Sequence, residues 1–132
     1  MTLVDTSVWI SLLKPNFRTW QEADQLLTFV TCGPALQEIL SRYREGPGTS
    51  IFRDGILAIP RVCDPVPAAT FVEAAEIYRL GRQKGDTIRS STDCLIAAIA
   101  IENNVPVWHR DRDFSAIARF TSLRAYTGTT SR

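Results

Sequence analysis

Histidine is nearly absent from this chain of 132 residues, with His109 the only one. A zinc site built on imidazoles and a Ser-His-Asp triad are therefore not expected. The cysteines, Cys32, Cys63 and Cys94, are odd in number, scattered and without paired spacing. They read as reduced thiols in or near the core, not as a disulfide framework or a metal knot. Long apolar runs are also missing: the longest, Cys94 to Ile101, is far too short to span a bilayer. No basic stretch followed by an apolar one opens the chain, so no signal peptide is expected. Lysine is scarce as well. Lys14 and Lys84 are the lysines among fifteen basic residues, and arginine supplies the rest. No internal repeat and no disordered composition is visible.

Hydrophobic residues make up 45% and charged residues 22% of the chain, with a net charge of +1. That is enough apolar material for one packed domain over residues 1–132, expected in the cytoplasm. A strand is expected over Leu3 to Asp5, then a short helix stopped by Pro15. A second helix is expected over Thr19 to Leu27 and a short strand over Phe29 to Thr31. Gly33-Pro34 opens a helix carrying Glu38, and Gly46-Pro47-Gly48 ends that unit. A helix over Ile51 to Leu57 and a strand over Ile59 to Cys63 follow. Val66 to Lys84 reads as a long helix whose stripe is Phe71, Ala74, Ala75 and Tyr78, closed by Gly85. An apolar helix then starts near Asp93, followed by a strand over Val105 to His109, a helix over Ser115 to Phe120 and a strand over Leu123 to Tyr126. This alternation predicts an α/β domain: a central parallel sheet of about four to five short strands flanked by helices. Residues 127–132 are expected to form a loose tail.

Acidic residues stand at awkward places in this plan. Asp5 ends an apolar strand, where burial of an unpaired carboxylate is costly. The carboxyl end of a strand is also where open α/β sheets bind ligands. Glu38 lies at the edge of the Ile39, Leu40, Tyr43 face of its helix. Asp93 opens the most apolar helix, where it faces the helix dipole and can itself cap. Asp111 and Asp113 begin where the Val105 strand stops. Carboxylates brought together repel and rise in pKa unless a cation intervenes, and Mg²⁺ favours such oxygen ligands. Thr6 and Ser7 can orient a carboxylate or cap a helix. Arg89, Arg110 and Arg112 flank the acids, where they can offset acidic charge or hold phosphates, or form local surface pairs of little energetic weight.

Four segments together resemble the PIN-domain ribonucleases, and within them the VapC-type toxins of toxin–antitoxin pairs. They are Val4-Asp5-Thr6-Ser7-Val8-Trp9-Ile10, Gln37-Glu38-Ile39-Leu40, Thr92-Asp93-Cys94-Leu95-Ile96-Ala97-Ala98 and His109-Arg110-Asp111-Arg112-Asp113-Phe114. No single segment is specific, and their order spans nearly the whole chain. The resemblance implies a PIN-like fold with Asp5, Glu38, Asp93 and the Asp111/Asp113 pair as catalytic metal ligands for Mg²⁺ or Mn²⁺. It implies an endoribonuclease toxin that hydrolyses RNA phosphodiester bonds with metal-activated water and leaves 5′-phosphate and 3′-hydroxyl ends. The implied partners are RNA, a VapB-like antitoxin that covers the acids, and a second copy of the chain. The alternative is a catalytically silent PIN-like module that binds RNA or an antitoxin.

Overall fold

Three short parallel strands in the order β2-β1-β3 form the centre of the molecule. The structure is a computed structural model that describes residues 1–12, 28–42, 44 and 46–126. Its elements are β1 (Thr2–Val4), α1 (Thr6–Leu12), β2 (Phe29–Val30), α2 (Gly33–Arg42), α3 (Thr49–Leu57), α4 (Ala68–Gln83), α5 (Ser91–Glu102), β3 (Val107–Trp108) and α6 (Arg112–Phe120). The helix expected over Thr19 to Leu27, the side chain of Tyr43 and the tail over residues 127–132 lie outside the described residues.

Side-chain alternation explains why so little strand suffices. Leu3, Val30 and Val107 point to one face of the sheet, where they pack with α4, α5 and α6. Val4, Phe29 and Trp108 point to the other, where they meet Val8, Trp9, Ile39 and Ile56. Both faces are covered, so every strand position but Thr2 and Trp108 is both buried and apolar, Thr2 being buried but polar and Trp108 half-buried, instead of alternating with exposed polar residues. The second face carries an aromatic cluster: the Phe29 ring stands edge-on to Trp9, Trp108 and Tyr126 at centroid distances of 6.2, 5.4 and 6.2 Å.

The expected strands over 59–63 and 123–126 shrink to single parallel bridges, Thr31↔Arg61 and Val107↔Ala125. At the first, Thr31 N donates to Pro60 O and Val62 N donates to Thr31 O. Pro60 has no amide to continue the ladder, and Cys63 at φ 57 leaves the extended region altogether. At the second, Val107 N donates to Arg124 O and Tyr126 N to Val107 O, but β3 is only two residues long and offers nothing further to pair with. The parallel sheet flanked by helices is as expected; among the described residues it has three strands.

The long helix begins at Ala68, because Pro67 is extended at ψ 157 and serves as its N-cap. Its buried stripe is Thr70, Ala74, Ile77 and Gly81, whereas Phe71 is 53% exposed. Gly81 sets this rotation. A Cβ there would stand 2.7 Å from Asp86 O and 3.1 Å from Ile88, so only glycine lets the next loop fold back against the helix. The Gly81 face therefore turns inward, and the Phe71 face turns out. α5 is buried along most of its length, as its nearly continuous apolar sequence requires. Among the described residues no helix is long and apolar enough to cross a membrane.

Candidate metal centre

β1 ends one residue before Asp5, and the Asp5 amide donates to Trp108 O at the end of β3 at 3.0 Å. This bond puts the carboxyl ends of the two strands side by side, with Asp5 above one and Asp111 and Asp113 following the other. α2 packs against α1 and brings Glu38 to the same edge: Thr6 Oγ1 donates to Glu38 Oε1 at 3.0 Å. Ser7 Oγ donates to Asp5 Oδ2 at 2.9 Å. α5 delivers Asp93 from the other side of the sheet.

Each acid is held by its own local structure. Ser90 caps α5, accepting from the Asp93 amide at 3.2 Å, so Asp93 sits in the first turn and is not the cap. The cap fixes the Asp93 backbone and leaves its carboxylate free to face the other acids, near the positive end of the helix dipole. Asp111 caps α6 by accepting from the Asp113 amide at 2.9 Å. His109 braces that turn: its Nδ1 accepts from the Asp111 amide at 3.3 Å, and its ring lies 5.1 Å from Phe114. Burial pushes the His109 pKa down, which leaves the ring neutral and its nitrogen an acceptor at neutral pH.

All five acids foreseen in the sequence are brought together. Asp5, Glu38 and Asp93 form one triad of carboxylates with oxygens within 4.8 Å of one another, and Asp93, Asp111 and Asp113 form a second. Asp5, Asp93 and Asp113 are buried, and Glu38 and Asp111 are half-buried. Asp93, common to both triads, feels the consequences most. Burial, and then the charges of Asp5, Asp111, Glu38 and Asp113, push its carboxyl up from 3.8 to about 8. The chain gathers more negative charge here than its own donors offset. The donor set is all carboxylate oxygen, and this fits a hard divalent cation and not a soft metal.

The flanking residues divide. Thr6 and Ser7 orient acids. Arg89 pairs with the second triad: its amide donates to Asp113 Oδ2 at 3.1 Å, its Nε lies 3.4 Å from Asp113 Oδ1 and its Nη2 3.4 Å from Asp111 Oδ1. Arg112 is exposed and points into a neighbouring cleft. Arg110 is exposed too. Ser90 and His109 are the positioning residues that the acid pattern did not single out. Ser90 had a signal, since Ser90-Ser91-Thr92-Asp93 before an apolar run has the spacing of a capping motif. Of the thiols, Cys32 and Cys94 are buried, and burial holds them up at about 12 and about 11, as inert core groups should be.

The PIN domain family matches residues 2–120 of the chain. The chain is 36% identical over 131 residues to ribonuclease VapC11 of Mycobacterium tuberculosis and to a VapC ribonuclease of Mycobacterium bovis, covering 95% of this chain and 97% of each relative. Among solved structures, VapBC2 of Rickettsia felis, bound to a promoter DNA fragment, shares the fold at TM-score 0.73 and 17% identity, covering 95% of this chain and 96% of that one. VapC20 of Mycobacterium tuberculosis, a toxin that cleaves the sarcin-ricin loop, matches at TM-score 0.63 and 25% identity, covering 94% and 99%.

Proposed function

The chain belongs to the PIN-domain family and, within it, to the VapC ribonucleases, and from this premise we propose that it is an endoribonuclease toxin whose five clustered carboxylates hold Mg²⁺ or Mn²⁺. One observation carries the reading: Asp93 belongs to both carboxylate triads and is pushed up to about 8 by burial and by the acids around it. A buried carboxylate under that strain is a group waiting for a cation. Asp5, Glu38 and Asp93 hold one ion, and Asp93, Asp111 and Asp113 supply the ligands for a second.

When bound, such an ion supplies hydroxide from water at neutral pH and counter-charge for the phosphoryl oxygens and the leaving group. The protein supplies the geometry. Thr6 and Ser7 hold Glu38 and Asp5 by one hydrogen bond each, and outer partners of this kind typically change metal affinity by roughly 10–100-fold when removed. Ser90 fixes the helix turn that presents Asp93. Neither Ser7, which donates to Asp5, nor His109, turned toward Phe114, is set as a nucleophile and base. The reaction is direct hydrolysis by water without a covalent intermediate, leaving 5′-phosphate and 3′-hydroxyl ends. The protein works in the cytoplasm, as a homodimer, and a VapB-like antitoxin with a cationic segment silences it by covering the acids.

The test is RNA cleavage by the purified chain in Mg²⁺, in EDTA, and with the Asp93→Asn variant. EDTA abolishes cleavage, and the variant loses activity on the order of 10³-fold, the equivalent of about 4 kcal/mol of transition-state stabilisation. Undiminished cleavage in EDTA refutes the metal. A chain that binds RNA but never cuts it is the silent module instead.

A further inference from the structure

Beside the carboxylates lies a cleft of about 540 Å³ between the loop after α4 and the outer face of α6. Arg89, Arg112 and Arg119 line it, together with Asp86, Asp113 and Ser115. Two of the arginines have acidic partners: Arg119 Nη2 lies 2.8 Å from Asp86 Oδ1, and Arg89 pairs with Asp113. Arg112 forms no ion pair among the described residues. It also sits in the first turn of α6, where the helix dipole disfavours a cation. Neither an ion pair nor the helix dipole accounts for that charge. The cleft keeps one positive charge in excess. It is also continuous with the metal centre, because Asp113 lines the cleft and belongs to the second triad.

We propose that this cleft seats a backbone phosphate of the RNA strand adjacent to the phosphate being hydrolysed, with Arg112 and Arg119 as its cationic donors and Ser115 as a neutral one. The assignment rests on the ribonuclease reading above. The planar guanidinium fork matches a phosphate, and phosphate contacts set the register of a strand without reading its sequence. The acidic centre alone repels a polyanion. A basic cleft at its rim holds the strand there while the carboxylates and their cation meet the next phosphate. An RNA strand is favoured over an acidic protein segment because its backbone continues past the cleft to the centre, where the next phosphate meets the cation of the ribonuclease reading. Asp86 fixes Arg119 and moderates the charge of the cleft.

The experiment uses the full chain and a short single-stranded oligoribonucleotide, with cleavage in Mg²⁺ followed over a range of salt. Arg112→Gln is expected to raise KM several-fold, with the loss in KM and not in kcat, and to lower the slope of log KM against log salt by about one. Asp86→Asn is expected to do the reverse and lower KM at low salt, a gain that misfolding cannot mimic. The Mg²⁺-induced rise in melting temperature persists in both. Inorganic phosphate, added as a competitor, raises KM for the wild type more than for Arg112→Gln. Normal cleavage with KM and salt slope unmoved in both variants overturns the cleft alone. A wild type that neither cuts nor binds RNA overturns the cleft together with the function it serves.

Discussion

Asp5 and Glu38 are each met by a hydroxyl, from Ser7 and Thr6, whereas Asp111 and Asp113 are met by the Arg89 guanidinium and by backbone amides. Both pairs converge on Asp93. A hydroxyl orients a carboxylate but adds no charge, so the repulsion within the first triad is left to an ion from outside. In the second triad the chain provides part of the countercharge itself. Of the two triads, the first, with Asp5 between β1 and α1, Glu38 on α2 and Asp93 on α5, has no cationic side chain against it among the described ion pairs. Arg89 also lines the basic cleft; its side chain is 57% exposed and its guanidinium contacts to the acids are long.

The sharpest way to break this comparison is to remove one carboxylate from each triad. Asp5→Asn deprives the first triad of a ligand that no cationic group replaces, and it is expected to cost RNA cleavage and Mg²⁺ binding on the order of 10³-fold. Asp113→Asn keeps an oxygen to accept the Arg89 amide and leaves the first triad whole, so its loss is expected near tenfold. Calorimetric Mg²⁺ titration and cleavage rates of the two variants decide the matter. Equal losses would mean that the triads act as one four- or five-ligand cage.

The next effect is a dependence on pH. The Asp93 carboxyl is raised from 3.8 to about 8 by burial first and by its acidic neighbours second. Between those values the ion-free folded protein holds a proton that the unfolded chain has released. The associated stability is fully present below about pH 4 and is lost as pH rises toward 8. A divalent ion must displace that proton. Apparent Mg²⁺ affinity therefore gains about tenfold per pH unit between roughly 5 and 8 and levels off above, with one proton released on binding. Melting temperatures at pH 5.5 and 8, with and without Mg²⁺, measure it: the ion-free protein is less stable at the higher pH, and the Mg²⁺-induced rise is larger there. Asp93→Asn flattens both trends. A wild type whose Mg²⁺ response is the same at both pH values would show that Asp93 is already ionised without the metal.

How far this centre can be read from sequence follows from the same contrast. Asp5, Glu38, Asp93, Asp111 and Asp113 stand at ends and edges of apolar segments, and a parallel sheet brings such ends to one side, so their convergence was legible. Their partners were less so. Thr6 meets Glu38 across 32 positions and Arg89 meets Asp113 across 24, separations that local periodicity does not encode. The buried face of α4 was misplaced because Gly81, not the large apolar residues, decides which side approaches the next loop. The outer strands were overdrawn for two reasons: β3, two residues long, meets the last segment only at Ala125, a limit of length, whereas Pro60 and the left-handed Cys63 break the 59–63 segment, a limit of residue type and backbone.

The smallest expected effect tests the Arg89 side of the comparison directly. Arg89→Gln removes the guanidinium from Asp111 and Asp113 while keeping the backbone amide that holds Asp113. An exposed ion pair contributes about 0.2–1 kcal/mol, so Mg²⁺ binding measured without RNA is expected to tighten by no more than about fivefold. RNA binding at low salt moves the opposite way, because Arg89 also lines the basic cleft. These two opposite shifts in one variant separate a guanidinium that competes with the cation from one that merely braces the acids. Weaker Mg²⁺ binding in Arg89→Gln would identify a brace, and the second triad would then need its arginine in order to receive an ion at all.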